Sequence, residues 1–237
     1  SQADSAESAD PPRPVLEFRD AELPPFTRRY DALQRVNLTL CAGDCALVVT
    51  GPGEEGLPLA DAASGLIVPR AGYVRIMGDE WTRLGPREQL VRRGRIGRVF
   101  ERPGWINNLN VLDNVLLPRR HHTDAADERL LGDARHWAER FGLEGVPSER
   151  PSSVPADQLR LAEWVRAFSL EPVLLLLEYP LRGVPRERFA SLLSAVTEAR
   201  CRGAAVLWLV NDAQEVGLPS GSGVMRFAVR DRTLKAT

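Results

Sequence analysis

Lysine is almost missing from this sequence. Of the 31 Lys and Arg residues among its 237 positions, only Lys235 is a lysine. Any chemistry that needs a lysine in the body of the fold is excluded. Bulk charge is missing too: a net charge of −1 gives no general attraction to nucleic acid or anionic lipid. No nucleic-acid partner is expected. Cysteine and histidine are scarce, at three each. Cys41, Cys45 and Cys201 are an odd set with no leader segment before them, which fits a reducing, cytoplasmic compartment. The Cys41/Cys45 spacing could serve a metal, but His121, His122 and His136 lie far off in sequence. The two cysteines flank a turn at Ala42-Gly43-Asp44 and read as thiols buried at strand ends. No metal site is expected. Long hydrophobic runs are absent as well. Stretches such as Val173–Leu177 fall far below the roughly 18–20 residues that span a bilayer. Contact with a membrane would go through a partner.

What is present is enough apolar residue, 43% of the chain, for one large domain or two small lobes around a core. Residues 1–14 are small, polar and proline-rich and are expected to be a disordered tail. From Val15 onward the pattern alternates. Val15–Phe18, Val36–Leu40, Cys45–Thr50, Tyr73–Met77 and Ile96–Phe100 read as strands, with a short helix over Leu59–Leu66. Residues 111–145 look mainly helical, and Gln158–Leu170 carries apolar positions at helical spacing. Val173–Leu177 and Ala204–Val210 are continuous apolar runs, as fully buried parallel strands should be. The helix Ala190–Arg200 separates them, and Val224–Val229 and Thr233–Lys235 close the fold. Strand–helix–strand order with buried runs predicts an α/β domain over 15–237, with a helical insertion near 102–168.

One segment frames the functional question. Residues 50–66 read TGPGEEGLPLADAASGL: a buried strand, a glycine turn, then a helix. That is the frame of a phosphate-binding loop, which ordinarily ends in Gly-Lys-Ser/Thr because the lysine meets the phosphates and the hydroxyl holds Mg²⁺. Here Gly56 is followed by Leu57 and Pro58. A different phosphate-loop fold that still binds nucleotide is the alternative reading of this segment.

Taken in order, the landmarks of residues 15–237 resemble the ATP-binding subunit of ABC transporters. ALQRVNLTLCAGD resembles the strand pair before the phosphate loop, and ASGLIVPRAGYVRIMGDEW the stretch after it. IGRVFERPGWINNLNVLDNVLLP is similar to the Q-loop and the segment that docks on the permease. PSSVPADQLRLAEWVRAFSLEPVLLLLEYPLRGV is similar to the signature helix, Walker B strand and D-loop, and LWLVNDAQEV to the switch strand. Within the family, NVLDNVLLPRRHHT and FTRRY resemble subunits of MCE/Mla-type lipid transporters. The resemblance implies a P-loop ABC ATPase-like fold: a mixed-sheet core, an antiparallel β lobe and a helical subdomain.

It also implies where the site should be, and there the side chains differ. In the phosphate loop (Gly51, Pro52, Gly53, Glu54, Glu55, Gly56, Leu57, Pro58) the lysine position falls near Leu57 and the Ser/Thr near Pro58. Glu54 and Glu55 stand where backbone amides should face phosphate. A like charge at 4 Å costs about 1 kcal/mol in water and about 4 at an effective dielectric of 20. Glu101 stands for the Q-loop glutamine. The signature becomes Val154-Pro155-Ala156-Asp157-Gln158, in which Pro155 removes a hydroxyl and an amide and Asp157 adds repulsion while suiting a helix start. Walker B ends in Glu178, the Mg²⁺-associated position, and the catalytic glutamate becomes Tyr179, whose phenol titrates near 10. Pro185 replaces the D-loop aspartate, and Asn211 replaces the switch histidine. Phe26 or Tyr30 offers an aromatic ring for adenine.

The expectation from these substitutions is a catalytically inactive subunit, a pseudo-ATPase that binds neither ATP nor Mg²⁺. It would dock on the cytoplasmic side of an integral-membrane permease, in lipid transport, as a homodimer or as a heterodimer with another ABC subunit. Pro103, Trp105, Ile106 and Leu109 are the expected docking residues; ordinary core packing is the competing reading for Trp105. Two other readings stand beside this one. One is an unconventional ATP-binding and hydrolysing subunit that uses another cation, such as an arginine. The other is a free-standing cytoplasmic interaction module.

Overall fold

The structure is a computed structural model that describes residues 13–25, 32–51, 56–212, 216–217 and 223–237. Residues 1–12 of the expected tail, the Phe26 and Tyr30 rings, and Pro52 to Glu55 of the loop therefore lie outside the described residues. Among the described residues, ten strands and six α-helices build two sheets and a helical lobe. The first sheet is antiparallel, in the order β2 (Leu33–Leu40), β1 (Leu16–Leu23), β4 (Tyr73–Ile76), β5 (Asp79–Glu80). The second has six strands in the order β10 (Thr233–Ala236), β9 (Val224–Arg230), β3 (Cys45–Val49), β8 (Ala205–Val210), β7 (Leu174–Glu178), β6 (Ile96–Val99). β9, β3, β8, β7 and β6 are parallel and β10 returns antiparallel, so the sheet is mixed.

The continuous apolar runs are explained by what lies on either side of that sheet. Cys45 and Leu47, Leu175 and Leu177, and Val206, Trp208 and Val210 enter one core. Their alternating neighbours Ala46 and Val48, Leu174 and Leu176, and Ala205, Leu207 and Leu209 enter the other. Side chains on a strand alternate faces, so a sheet covered on both sides must be apolar at every position. The first core packs the sheet against α6 (Phe189–Cys201) and the lobe of α3 (Val111–His122), α4 (Asp127–Phe141) and α5 (Ala156–Phe168). The second packs it against α1 (Leu59–Ala63) and the antiparallel sheet. Gly97 on β6 is needed where the strand meets α5, since a Cβ there would come within 2.3 Å of the Ala167 carbonyl oxygen.

Several elements differ from the sequence reading for local reasons. Helix α1 ends at Ala63 because Gly65 takes a left-handed φ of 67°, with the Trp81 ring 2.4 Å from where a Cβ would stand. Helix α2 (Pro86–Arg93) went unpredicted because it buries no residue and has no apolar stripe to see. It is marked instead by Pro86 at its first position and by the Glu88 carboxylate accepting from the Gly85 N–H at 2.8 Å. The 111–145 region splits into two helices, the first begun by Asn110, whose side chain accepts from the Asp113 N–H at 2.6 Å. Of the cysteines, Cys45 is buried as expected while Cys41 is only half-buried and Cys201 is exposed. Among the described residues no helix is long and apolar enough to cross a membrane.

Candidate functional site at the strand ends

In an open parallel sheet the crevice beyond the carboxyl ends of the strands is where ligands bind. Here the ends of β3, β8, β7 and β6 lead into Thr50, Asn211, Tyr179 and Phe100-Glu101. These residues are brought together across as many as 161 positions of sequence. The Thr50 hydroxyl lies 2.9 Å from the Tyr179 hydroxyl, donates to the Val210 carbonyl at 3.2 Å, and accepts from Asn211 Nδ2 at 3.4 Å. Tyr179 is buried and adopts a left-handed φ of 46°. That turn swings the chain off the end of β7 and carries Arg182 back over the Tyr179 ring, 4.4 Å from its centroid. Arg182 also donates to Asn211 Oδ1 at 3.2 Å and lies 3.9 Å from a Glu101 carboxylate oxygen. A cavity of about 260 Å³ opens beside these residues, walled by Tyr179, Leu181, Arg182, Phe189, Trp208 and Asn211 among others.

Beneath this group lies a buried ion cluster. Arg98 on β6 donates to Glu178 at 2.7 Å and pairs with Asp61 of α1 at 2.7 Å. A third bond goes to the Ser64 hydroxyl at 3.2 Å. Burial pushes the Glu178 carboxyl above its ordinary range, and the Arg98 charge opposes that shift. A second cluster ties the helical lobe to the end of β6. Glu163 of α5, fully buried, accepts from Arg160 at 2.8 Å and Arg166 at 3.1 Å. Arg160 donates in turn to the carbonyls of Phe100 at 2.6 Å and Glu101 at 3.3 Å, and Arg166 to that of Gly104 at 3.4 Å. Desolvation pushes the Glu163 carboxyl up to about 7 against the pull of the two guanidinium groups.

The sequence-predicted positions are thus only partly assembled. Tyr179, Asn211, Glu101 and Glu178 lie together. Leu57 points into the core rather than the crevice and is 4% exposed, and Pro58 caps α1 with φ −74°. Gly51 and Gly56 flank the undescribed part of the loop. Pro155, Ala156, Asp157 and Gln158 begin α5 elsewhere, and Asp157 and Gln158 line a separate crevice with Pro185 and Gly142. Arg98, Arg182, Asp61 and Thr50 went unnamed in the sequence reading. A usable signal was there: each of the two arginines sits within four residues of the end of a buried strand, in a chain whose one lysine is Lys235.

The intermembrane phospholipid transport system ATP-binding protein MlaF of Escherichia coli K12 is 24% identical over 204 residues, 85% of this chain and 75% of that protein. MlaF of Haemophilus influenzae is 27% identical over 154 residues, covering 65% of this chain and 57% of the relative's length. The dimeric ABC cassette MJ0796, in a post-hydrolysis state bound to ADP and Pi, superposes with a TM-score of 0.80 at 18% identity. That match spans 93% of this chain and 96% of the cassette. The homologues are ABC ATP-binding subunits. No family model matches the chain.

These comparisons correct two expectations. The ABC reading of the fold stands, but the reading of the chain as a non-enzyme, with ATP and Mg²⁺ excluded, is overturned: its relatives are ATP-binding proteins and its fold is that of a cassette seen with ADP and Pi. The substitutions at Leu57, Pro58, Pro155, Ala156, Tyr179 and Asn211 describe which side chains stand at motif positions. Two of them, Tyr179 and Asn211, stand at the strand ends themselves, and the fold around them is kept; a guanidinium meets phosphate oxygens as well as an ammonium does. Glu178 and Asp61 supply two carboxylates, the hard oxygen donors that a phosphate-bound Mg²⁺ takes from a protein. Arg98 spans both of them. No group of three His, Cys, Asp or Glu side chains that could hold a metal by itself lies among the described residues.

Proposed function

We propose that this chain is the ATP-binding subunit of an ABC-type membrane transporter, with lipid as its cargo class, and that it uses arginine where such sites ordinarily use lysine. The observation that carries the proposal is the assembly of Thr50, Tyr179, Arg182, Asn211 and Glu101 at the ends of four adjacent strands. The lipid assignment is supported by the two phospholipid-transport relatives. In this reading the crevice binds and orients the nucleotide, and Arg98 holds Glu178 and Asp61 in place. Mg²⁺, when bound with the nucleotide, screens phosphate charge, and Glu178 is the residue that would hold it.

The subunit works as a dimer, with itself or with another ABC subunit, on the inner face of a membrane to which an integral permease anchors it. The docking surface is the segment with Pro103, Trp105, Ile106 and Leu109. Ile106 is 45% exposed, whereas Trp105 is half-buried against the helical core with Arg166 above its ring at 4.8 Å. Ile106 is therefore the residue presented outward, and Trp105 supports it from behind.

Melting curves with and without Mg-ATP test the proposal. A ligand at 100 times its dissociation constant adds about 2.7 kcal/mol, a rise of about 5–10 °C for a domain of this size. Purification from native membranes should bring an integral-membrane partner with the chain. No shift at millimolar Mg-ATP would refute nucleotide binding, and recovery without a membrane partner would leave the free-standing module instead.

A further inference from the structure

We infer that Glu163 is a positioning residue for the docking segment: through Arg160 and Arg166 its carboxylate fixes the backbone that presents Ile106, and a proton on it releases that hold. The inference rests on the docking surface proposed above and adds the residue that regulates it.

Position comes first. The segment after β6 is gripped from two sides. On one side Arg160 donates to the carbonyls of Phe100 and Glu101, and Arg166 to that of Gly104. The Arg166 guanidinium also lies over the rings of Trp105, at 4.8 Å, and Phe100, at 5.5 Å. On the other side Asn114 of α3 accepts from the Ile106 N–H at 2.8 Å and donates to the Ile106 carbonyl at 3.1 Å. The Asn114 grip is neutral. The arginine grip depends on a charge behind it, because both guanidinium groups are buried and share Glu163 as their acceptor. A carboxylate accepts from both at once, whereas a protonated carboxyl turns one oxygen into a donor, and a guanidinium has no acceptor to meet it. Two buried cations would then lie side by side without an anion between them, and the hold on Phe100, Glu101 and Gly104 weakens. Burial, opposed by Arg166 and Arg160, brings the Glu163 carboxyl up to about 7, so the change falls near neutral pH. Glu178 at the end of β7 adds to the rise without a hydrogen bond to Glu163, and Arg98 of β6 balances it. On α3 and α4, which pack against α5, the buried Arg119 is paired with Asp133.

The test is binding of the full chain to washed membrane vesicles from the cells that make it, with liposomes of the extracted lipids as control. It is run at about pH 6 and about pH 8, either side of the Glu163 carboxyl. Wild type should bind the native vesicles, and not the liposomes, about 10-fold more tightly at the higher pH, the worth of one charge-assisted contact. Glu163→Gln, which cannot ionise, should bind at both pH values as wild type does at the lower one. Stability should move the other way: relative to Glu163→Gln, wild type loses stability over the same rise in pH, so a merely structural role predicts the opposite sign. Amide exchange at Ile106 and Leu109, corrected for its intrinsic pH dependence, reads the segment itself and should be faster in wild type at the lower pH. If Glu163→Gln does not fold, that exchange decides. The same pH profile of binding in wild type and variant, or exchange at Ile106 that ignores pH, overturns the role of Glu163 and leaves the docking surface standing. Equal binding to the liposomes, or no binding by wild type at either pH, overturns both.

Discussion

Replacing Arg98 by methionine keeps the length of the side chain and removes its charge from between two carboxylates. Glu178 and Asp61, 8% and 16% exposed, would then face each other without a cation. Breaking a buried ion pair from one side costs about 3–5 kcal/mol, because the remaining charge stays desolvated. For a domain of 150–250 residues that is a fall in melting temperature of about 6–20 °C. The pH dependence supplies a second, sharper reading. Burial already holds the Glu178 carboxyl above its ordinary range, and loss of Arg98 raises it further. A carboxyl raised in the folded state stabilises below its unfolded pKa and loses that contribution as pH rises through the folded value. The deficit of Arg98→Met should therefore grow as pH rises above the ordinary carboxyl range. The double variant Arg98→Met with Glu178→Leu should recover most of the loss, since Asp61 alone keeps some water and an apolar pair often replaces a buried ion pair at little cost. Urea melts of the three proteins at several pH values decide. A loss below about 1 kcal/mol for Arg98→Met, the range of an exposed pair, or a deficit that does not change with pH, would refute the buried cluster.

Two further outcomes are expected. The Glu163 carboxyl stands at about 7 in the folded state against an ordinary 4.5, so it contributes stability below 4.5 that is lost as pH rises to about 7; Glu163→Gln should flatten the stability profile over that window, and a variant with the wild-type slope would remove Glu163 as its source. Trp105→Ala should lower stability by about 1–3 kcal/mol, less than a fully buried tryptophan would, whereas Ile106→Asp should leave the melting temperature unchanged and weaken recovery with the membrane partner; an Ile106→Asp variant that still co-purifies normally would move the docking surface elsewhere.

By itself the sequence determined the sheet and the family that the chain resembles. The central strands carry continuous apolar runs because they are covered on both faces, and that pattern is local. The order of runs, turns and helices followed from it, as did the resemblance to ABC ATP-binding subunits. Position by position, though, the sequence could say only which side chain stood at each motif position, and that led to an inactive reading which the relatives overturn. The pairing of charges was decided by tertiary structure. Arg98 meets Glu178 across 80 residues, Thr50 meets Tyr179 across 129, and Arg182 meets Asn211 across 29. No periodicity records such pairs, since each depends on which strand lies beside which and on the turn at Tyr179 that sends Arg182 back over the strand ends. The same holds for Leu57: the sequence places it at the lysine position, and only the packing of α1 against the antiparallel sheet turns it into the core. Exposed helix α2 was invisible for the opposite reason, because it buries nothing and so leaves no apolar pattern.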